Sequence, residues 1–471
     1  MMNIPRDPAG EGGLTGFARD FRSGKITSLA ATQAYLARIE ALDKKLGAYQ
    51  NVDAEKALAS AKAMDLLWAA GVDLGPLMGV PVAVKDVFVM RGYPAPKAGS
   101  RLDLTPVVGT QEGPFIDALR RCGAVILGTT KAVELCLGIV GVSSTLGTPW
   151  NPWDATRHRV PGGSSSGSAV ACAAGLCVFA IGSDSGGSVR VPAAFNGIFG
   201  LKTTFGHWPT AGSVPLDPSV DTIGLLTRSA KDARVAFDTL ERQLFGQRAP
   251  HSTREVRLDT LVIGRPANYF YEGLSPEVET AVGLANDALR SAGCKFQDVV
   301  VTEAAERAEY FPKSMPVSLL AMMGKDTFEA SRALIDPVVA ARVATGVGVD
   351  AVDFMRLRDR RAHHIEAAKR YFTEVDVIGC PTAALVPPCV DDFDDPDTAM
   401  THALGMTRNT QPSNYLGQCA VSMPLKRGAG ELPVGYQLVG APFSDSALLD
   451  IAVAIEQVFG VGSAPDLSQL A

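Results

Sequence analysis

Two stretches of this sequence set hydroxyls among glycines in spacings that can carry acyl-transfer chemistry. Pro161-Gly-Gly-Ser164-Ser165-Ser166-Gly-Ser168 is a loop that runs into a string of small residues. Ser183-Asp184-Ser185-Gly186-Gly187-Ser188 follows a short apolar run, Val178–Gly182. A strand that empties into Gly-Gly-Ser leaves unshielded backbone N–H groups beside a hydroxyl. That pairs a nucleophile with donors for a developing oxyanion. Taken alone, each loop reads first as a plain turn or the entry to a close-packed helix. Phosphate cradling is a further use of such loops. Neither fits Gly-x-x-x-x-Gly-Lys-Ser/Thr or Gly-x-Gly-x-x-Gly, which disfavours nucleotide binding.

A serine nucleophile needs a base. Six histidines are available: His158, His207, His251, His363, His364 and His402. None lies in a metal-ligand spacing, and each reads first as a surface or satisfied polar side chain. Lys85 is the other candidate, at the end of Gly-Val-Pro-Val-Ala-Val-Lys; without a partner motif it reads as a snorkelling strand-end lysine. Gly163-Ser-Ser165-Ser-Gly167 matches the Gly-x-Ser-x-Gly elbow of α/β-hydrolases, whose nucleophile follows an apolar strand. Here the preceding residues are Arg157-His-Arg-Val-Pro-Gly162, so the context fails.

The elements that must position these residues alternate between helix and strand. The first 75 residues read as helical: Ser28 can cap a helix to about Lys45, and an alanine-rich segment, Asp53–Ala70, stops at Gly71. Short apolar strands are expected at Gly79–Val84, over Ala124–Gly128, and at Val178–Gly182, Thr260–Gly264, Val375–Gly379, Ala420–Met423 and Val434–Val439. Helices are expected at 111–122, at 230–242 behind Ser229, at 276–292 behind Ser275, and at Ser446–Phe459. This order predicts a single large α/β domain over 1–471 with a central mixed β-sheet flanked by helices. It comprises the N-terminal helical segment 1–75 and a core at 79–210.

Of 471 residues, 46% are hydrophobic and 20% charged, so the chain can bury a large core and disorder is excluded. A net charge of −6 offers no basic field for nucleic acid or an anionic membrane. Met1–Gly13 has no apolar signal-peptide core, and the longest apolar or small-residue run, Ala169–Ile181, is too short to span a bilayer. Eight scattered cysteines without Cys-x-x-Cys suit reduced, buried thiols. A cytoplasmic enzyme is expected.

Together these residues resemble the amidase signature family. The resemblance runs from Gly79-Val-Pro-Val-Ala-Val-Lys85-Asp86 to Pro433-Val-Gly-Tyr-Gln437-Leu-Val-Gly-Ala-Pro442-Phe, with its centre at Arg159–Thr204. It implies the amidase signature fold and a Ser–cis-Ser–Lys triad. Ser188 falls on the nucleophile, Ser164 on the relay serine behind a cis peptide bond, and Lys85 on the base. The oxyanion hole falls on the backbone amides of Ser185, Gly186 and Gly187, with that of Ser188, and Arg190 is expected to brace the loop against Asp184. The relay needs an uncharged Lys85, and Val82, Val84, Val87 and Phe88 offer it apolar neighbours; Asp86 should face the other side of the strand. No cofactor or metal is implied. The implied partner is a small-molecule amide, with a homodimer possible from the family and no nucleic acid or membrane.

Three positions depart from the family pattern: Ser166 replaces a common glycine, Ser185 a threonine or isoleucine, and His207 a frequent arginine. Thr204–Gly212 and Arg408-Asn-Thr410 look like the indoleacetamide and mandelamide hydrolase branch, which hints at arylalkyl amides. The implied activity is hydrolysis of a carboxamide, anilide or carbamate through an acyl-serine. A partner-dependent protein resembling the A-type component of tRNA amidotransferases is one alternative, although Arg408–Gly417 lacks that component's usual run. A serine esterase using Ser165 and a histidine is the other. The pocket walls are expected in 134–146, 205–220 and 305–360, the last with Met315, Met322, Met323, Phe328 and Met355.

Overall fold

The computed structural model describes residues 4–246, 255–428 and 430–470. His251 lies outside them. Eleven strands form one mixed sheet: β1 (Tyr49–Val52), β2 (Pro81–Lys85), β3 (Val125–Thr130), β4 (Phe179–Asp184), β5 (Phe199–Lys202), β6 (Thr222–Thr227), β7 (Val262–Pro266), β8 (Lys295–Val299), β9 (Val377–Pro381), β10 (Cys419–Pro424) and β11 (Gly435–Gly440). Their order across the sheet is β1-β3-β2-β4-β6-β5-β10-β11-β9-β7-β8. β3, β2 and β4 run parallel, as do β9, β7 and β8, while the central strands pair antiparallel. The expected mixed sheet is the observed one.

Most of these strands are buried on both faces, which is why they read as unbroken apolar runs rather than alternating ones. The expected strands that flank the chemistry lie within a few residues of their observed bounds. Four were not legible. β1 breaks the segment expected to be wholly helical; it is short, carries polar Gln50 and Asn51, and gains its ladder only by pairing with β3. β5, β6 and β8 are likewise set by their neighbours.

Local capping explains the helix starts. Thr27, not Ser28, caps the helix Ser28–Leu46, accepting from Ala30 N at 3.0 Å. Ser28 is buried and its hydroxyl donates to Gly79 O at 2.8 Å, tying this helix to the turn before β2. Ser229 caps Ala230–Phe245 through Asp232 N as expected. Ser275 holds the N-cap position of Pro276–Ser291 without a side-chain cap bond. The apolar run Ala169–Ile181 divides between the helix Ser166–Ala173 and β4. In that helix Gly167 lies so close to the sheet that a Cβ would stand 2.1 Å from Ala48 O. All eight cysteines are buried and unbridged. No helix among the described residues is long and apolar enough to cross a membrane.

Candidate active site

Parallel pairing of β2 with β4 brings two chain segments to one end of the sheet. Val84 lies opposite Ile181, so Lys85 ends its strand beside the stretch that leads to Ser185–Ser188. Crevices at the carboxyl ends of parallel strands are where α/β sheets bind ligands. The loop 161–165 closes this end from the side: Ser165 N donates to Ser188 O at 3.2 Å, and Val133 N to Ser164 O at 3.1 Å.

Lys85 is fully buried. Its Nζ donates to Ser164 Oγ at 2.8 Å and to Ser183 Oγ at 2.9 Å. No carboxylate pairs with it among the described residues. Asp86 turns away as strand alternation requires: it accepts from Lys97 N at 3.1 Å, and burial pushes its carboxyl up to about 7. The Gly163–Ser164 peptide bond is cis. Ser188 is buried at the mouth of the crevice, and among the described residues its hydroxyl has no hydrogen-bond partner, Ser164 included. Lysine and the first serine are thus joined in this structure, and the second serine is not joined to them. Hydrogen bonds of this kind often tighten only once substrate is bound.

The amides of the Ser185–Ser188 loop divide into two sets. Those of Ser185, Gly186 and Ser188 have no acceptor among the described residues. Gly187, expected among the oxyanion donors, differs: its N–H donates to Asp184 Oδ1 at 2.8 Å. Gly187 itself has a φ of +124°.

Behind the loop lies a buried ion pair. Arg190 grips Asp184 with Nη2 at 3.0 Å from Oδ1 and Nε at 3.0 Å from Oδ2, both side chains being fully buried. Its remaining donors go to Thr410 O, Ser413 Oγ, Gln437 Oε1 and Asn414 Oδ1. Burial alone would raise the Asp184 carboxyl. The Arg190 charge and hydrogen bonds, with Lys202 and Asn414, outweigh it and hold that carboxyl well below the usual range. The bracing expected of Arg190 is present, and it extends to the 410–414 turn and β11.

Sequence reasoning missed several neighbours. Ser183 is the second partner of Lys85; it opens the Ser183–Ser188 motif, but its role depends on the β2–β4 register. Asp221, a lone acid without a motif, accepts from Ser185 Oγ at 2.5 Å, and burial pushes its carboxyl up to about 7. Thr410 Oγ1 donates to Gly186 O at 2.9 Å. A cavity of about 10 Å³ lies between Ser183, Ser185 and Asp221, with Cys136 and Thr210 also on its wall. Each of the three expected wall segments therefore sends a residue to the site: Cys136, Thr210 and, beside Gly186, Met315. Phe328 is core, and Met355 is exposed.

The remaining expectations separate cleanly. Ser165 is buried in a loop with no strand before it, and its hydroxyl donates to Ser183 O at 3.2 Å. None of the described histidines bonds a serine of the site. His158 stacks on Trp150, His207 bonds Glu241 and stacks on Phe237, and His364 bonds Tyr415. Ser166 Oγ reaches Lys131 O rather than the Lys85 pair. No cluster of three or more histidine, cysteine or acidic groups among the described residues could hold a metal.

Comparison with known proteins shows the family and the fold. The family model described as Amidase matches residues 30–449. A 2-amino-5-chloromuconic acid deaminase of Comamonas testosteroni is 37% identical over 96% of this chain and 98% of its own length. The A-type component of the glutamyl-tRNA(Gln) amidotransferase of Geobacter metallireducens is 33% identical over 92% of this chain and 94% of its own. Among solved structures, a crystal structure of an amidase superposes with a TM-score of 0.85 at 28% identity, over 95% of this chain and all of that one. The peptide amidase of Stenotrophomonas maltophilia superposes with a TM-score of 0.80 at 25% identity, over 98% of this chain and all of that one.

Proposed function

This chain belongs to the amidase family, an enzyme of amide C–N bonds, and we propose that it hydrolyses a small carboxamide on its own through an acyl-Ser188 intermediate. The observation that carries this is the buried Lys85 Nζ, 2.8 Å from Ser164 Oγ and without a carboxylate partner among the described residues.

In the proposed cycle uncharged Lys85 accepts the proton of Ser164 as Ser164 accepts that of Ser188. Ser188 Oγ adds to the substrate carbonyl, and the oxyanion faces the amides of Ser185, Gly186 and Ser188. The relay returns the proton to the leaving nitrogen, the C–N bond breaks, and ammonia or an amine departs. Water then enters, gives a proton to the same relay, and cleaves the Ser188 ester to a carboxylic acid. The Asp184–Arg190 pair holds Gly187 and so fixes the loop.

The relatives bear on the substrate. One is named for deaminating a chlorinated amino-diacid, which suggests ammonia as a leaving group and tolerance of acidic substrates. Others are named as components of amidotransferases, which is why a partner-dependent alternative stands beside this reading. Labelling with a fluorophosphonate, followed by peptide mapping, tests the reading: the label should fall on Ser188 and be lost in Lys85→Ala. Turnover of simple amides by the purified chain, without tRNA or partner proteins, separates the two alternatives. Label on Ser165 with Lys85 dispensable would return the reading to an esterase.

A further inference from the structure

Gly186 carries one of the free loop amides, and the side chains against it are not random packing. A Cβ on Gly186 would stand 3.3 Å from Gln411 Cγ, 3.5 Å from Gln411 Nε2 and 3.5 Å from Met315 Cε. Gln411 opens the helix Gln411–Tyr415 and is half-buried. Its Oε1 accepts from Arg307 Nη1 at 2.7 Å. A guanidinium only donates, so this contact fixes which end of the carboxamide faces Arg307 and turns the NH₂ group the other way. That NH₂ group has no acceptor among the described residues.

The support behind Gln411 is built at a cost. Arg307 is 9% exposed, and its Nε donates to Tyr269 OH at 2.7 Å. No carboxylate pairs with it among the described residues, so a buried cation is committed to orienting one amide and one phenol. Tyr269 has a φ of +66°, a left-handed conformation that is strained for a bulky residue and that clusters at ligand sites. Strained tyrosine, buried arginine and pinned glutamine form one chain ending beside the loop that faces the scissile carbonyl.

We infer that Gln411 determines specificity on the acyl side, donating from Nε2 to an oxygen of the substrate's acyl group while Met315 packs against the apolar part beside it. The substrate class is then an amide carrying a carbonyl, carboxylate or hydroxyl oxygen a few bonds from the scissile carbonyl. This rests on the hydrolase reading above and narrows it.

The test compares pentanamide with 4-oxopentanamide, and hexanamide with 5-oxohexanamide, pairs that exchange a methylene for a carbonyl. Wild-type enzyme should favour an oxo amide about tenfold in kcat/KM, the scale of one hydrogen bond. Gln411→Leu should bring that ratio below about twofold, and Arg307→Met, which frees the carboxamide to turn, should also lower it. The readout is a ratio within each protein, and labelling of Ser188 by a fluorophosphonate shows that each variant is folded. An unchanged ratio in Gln411→Leu overturns the inference. So does a wild-type enzyme that labels at Ser188 and shows no oxo preference or turns over none of the four amides. A wild-type enzyme that does not label at Ser188 overturns the hydrolase reading instead.

Discussion

Ser185 Oγ and Asp221 Oδ1 lie 2.5 Å apart, joining the first residue of the 185–188 loop to a half-buried side chain on the turn before β6. Asp221 Oδ2 accepts from the amides of Leu216 and Asp217, so this one side chain ties the loop to the 216–221 turn. Burial, with the nearby Asp217 charge, raises the Asp221 carboxyl to about 7 against hydrogen bonds that act the other way. A folded-state value above the unfolded one means that the folded chain holds the extra proton between pH 4 and 7. The stability from this group is complete below the unfolded value and is lost as pH rises through about 7. Urea midpoints should therefore fall from pH 5 to 8, and Asp221→Asn should flatten that fall. Asp86, raised for the same reason, leaves some slope behind. Parallel slopes for the wild type and Asp221→Asn would refute this account.

Lys85 makes two contacts that arginine cannot reproduce. Its single Nζ sits between two hydroxyls at 2.8 and 2.9 Å in a fully buried position. A guanidinium is planar, wider and permanently charged, so it can neither fit that gap nor accept a proton. Lys85→Ala and Lys85→Arg should both lower kcat by at least about 10²–10⁴-fold, the range of a lost general base. Near-normal turnover in Lys85→Arg would sink the uncharged-lysine relay.

Some of this site was legible in the sequence, and the division has physical causes. Lys85, Ser164 and Ser188 stand in local motifs: a strand end, a Gly-Gly-Ser loop and a second Gly-Gly-Ser. The Asp184–Arg190 pair also belongs to one short stretch. The alternation of apolar runs with helices carried the mixed sheet as well. Ser183 as a lysine partner, Asp221 and Gln411 were not legible, because each meets the site only through sheet register or through an element far along the chain. Gly187 differs for another reason: nothing in the letters signals that its amide donates to Asp184 Oδ1. β1 and β8 are edge strands with polar or exposed positions, and pairing rather than pattern makes them strands.

Arg190 sits fully buried with six donor contacts shared among Asp184, Thr410, Ser413, Asn414 and Gln437. Removing one partner of a buried pair leaves the other charge uncompensated, at a cost of about 3–5 kcal/mol. Arg190→Met should lose that much in urea unfolding. Adding Asp184→Asn to it should recover more than about 1 kcal/mol, because the stranded charge is then gone. If the double variant is less stable than Arg190→Met, the loss lies in the contacts to the 410–414 turn rather than in the ion pair.

Gly187 combines two constraints that a double substitution can separate. Its φ of +124° is open to glycine and strained for any other residue. A Cβ there would also stand 2.3 Å from Thr410 Oγ1 and 2.8 Å from Thr410 Cβ. Thr410 has little room to yield, because its hydroxyl donates to Gly186 O and its carbonyl accepts from Arg190. Gly187→Ala should therefore displace the loop and slow fluorophosphonate labelling of Ser188 by at least about 10²-fold, the scale of a lost oxyanion donor. Gly187→Ala combined with Thr410→Gly removes the clash but keeps the strained backbone. That pair should regain part of the lost melting temperature while labelling stays slow. Wild-type labelling in the single variant would show that the loop geometry is not what activates Ser188. Full recovery of labelling in the double variant would place the whole effect on the Thr410 contact and none on the backbone angle.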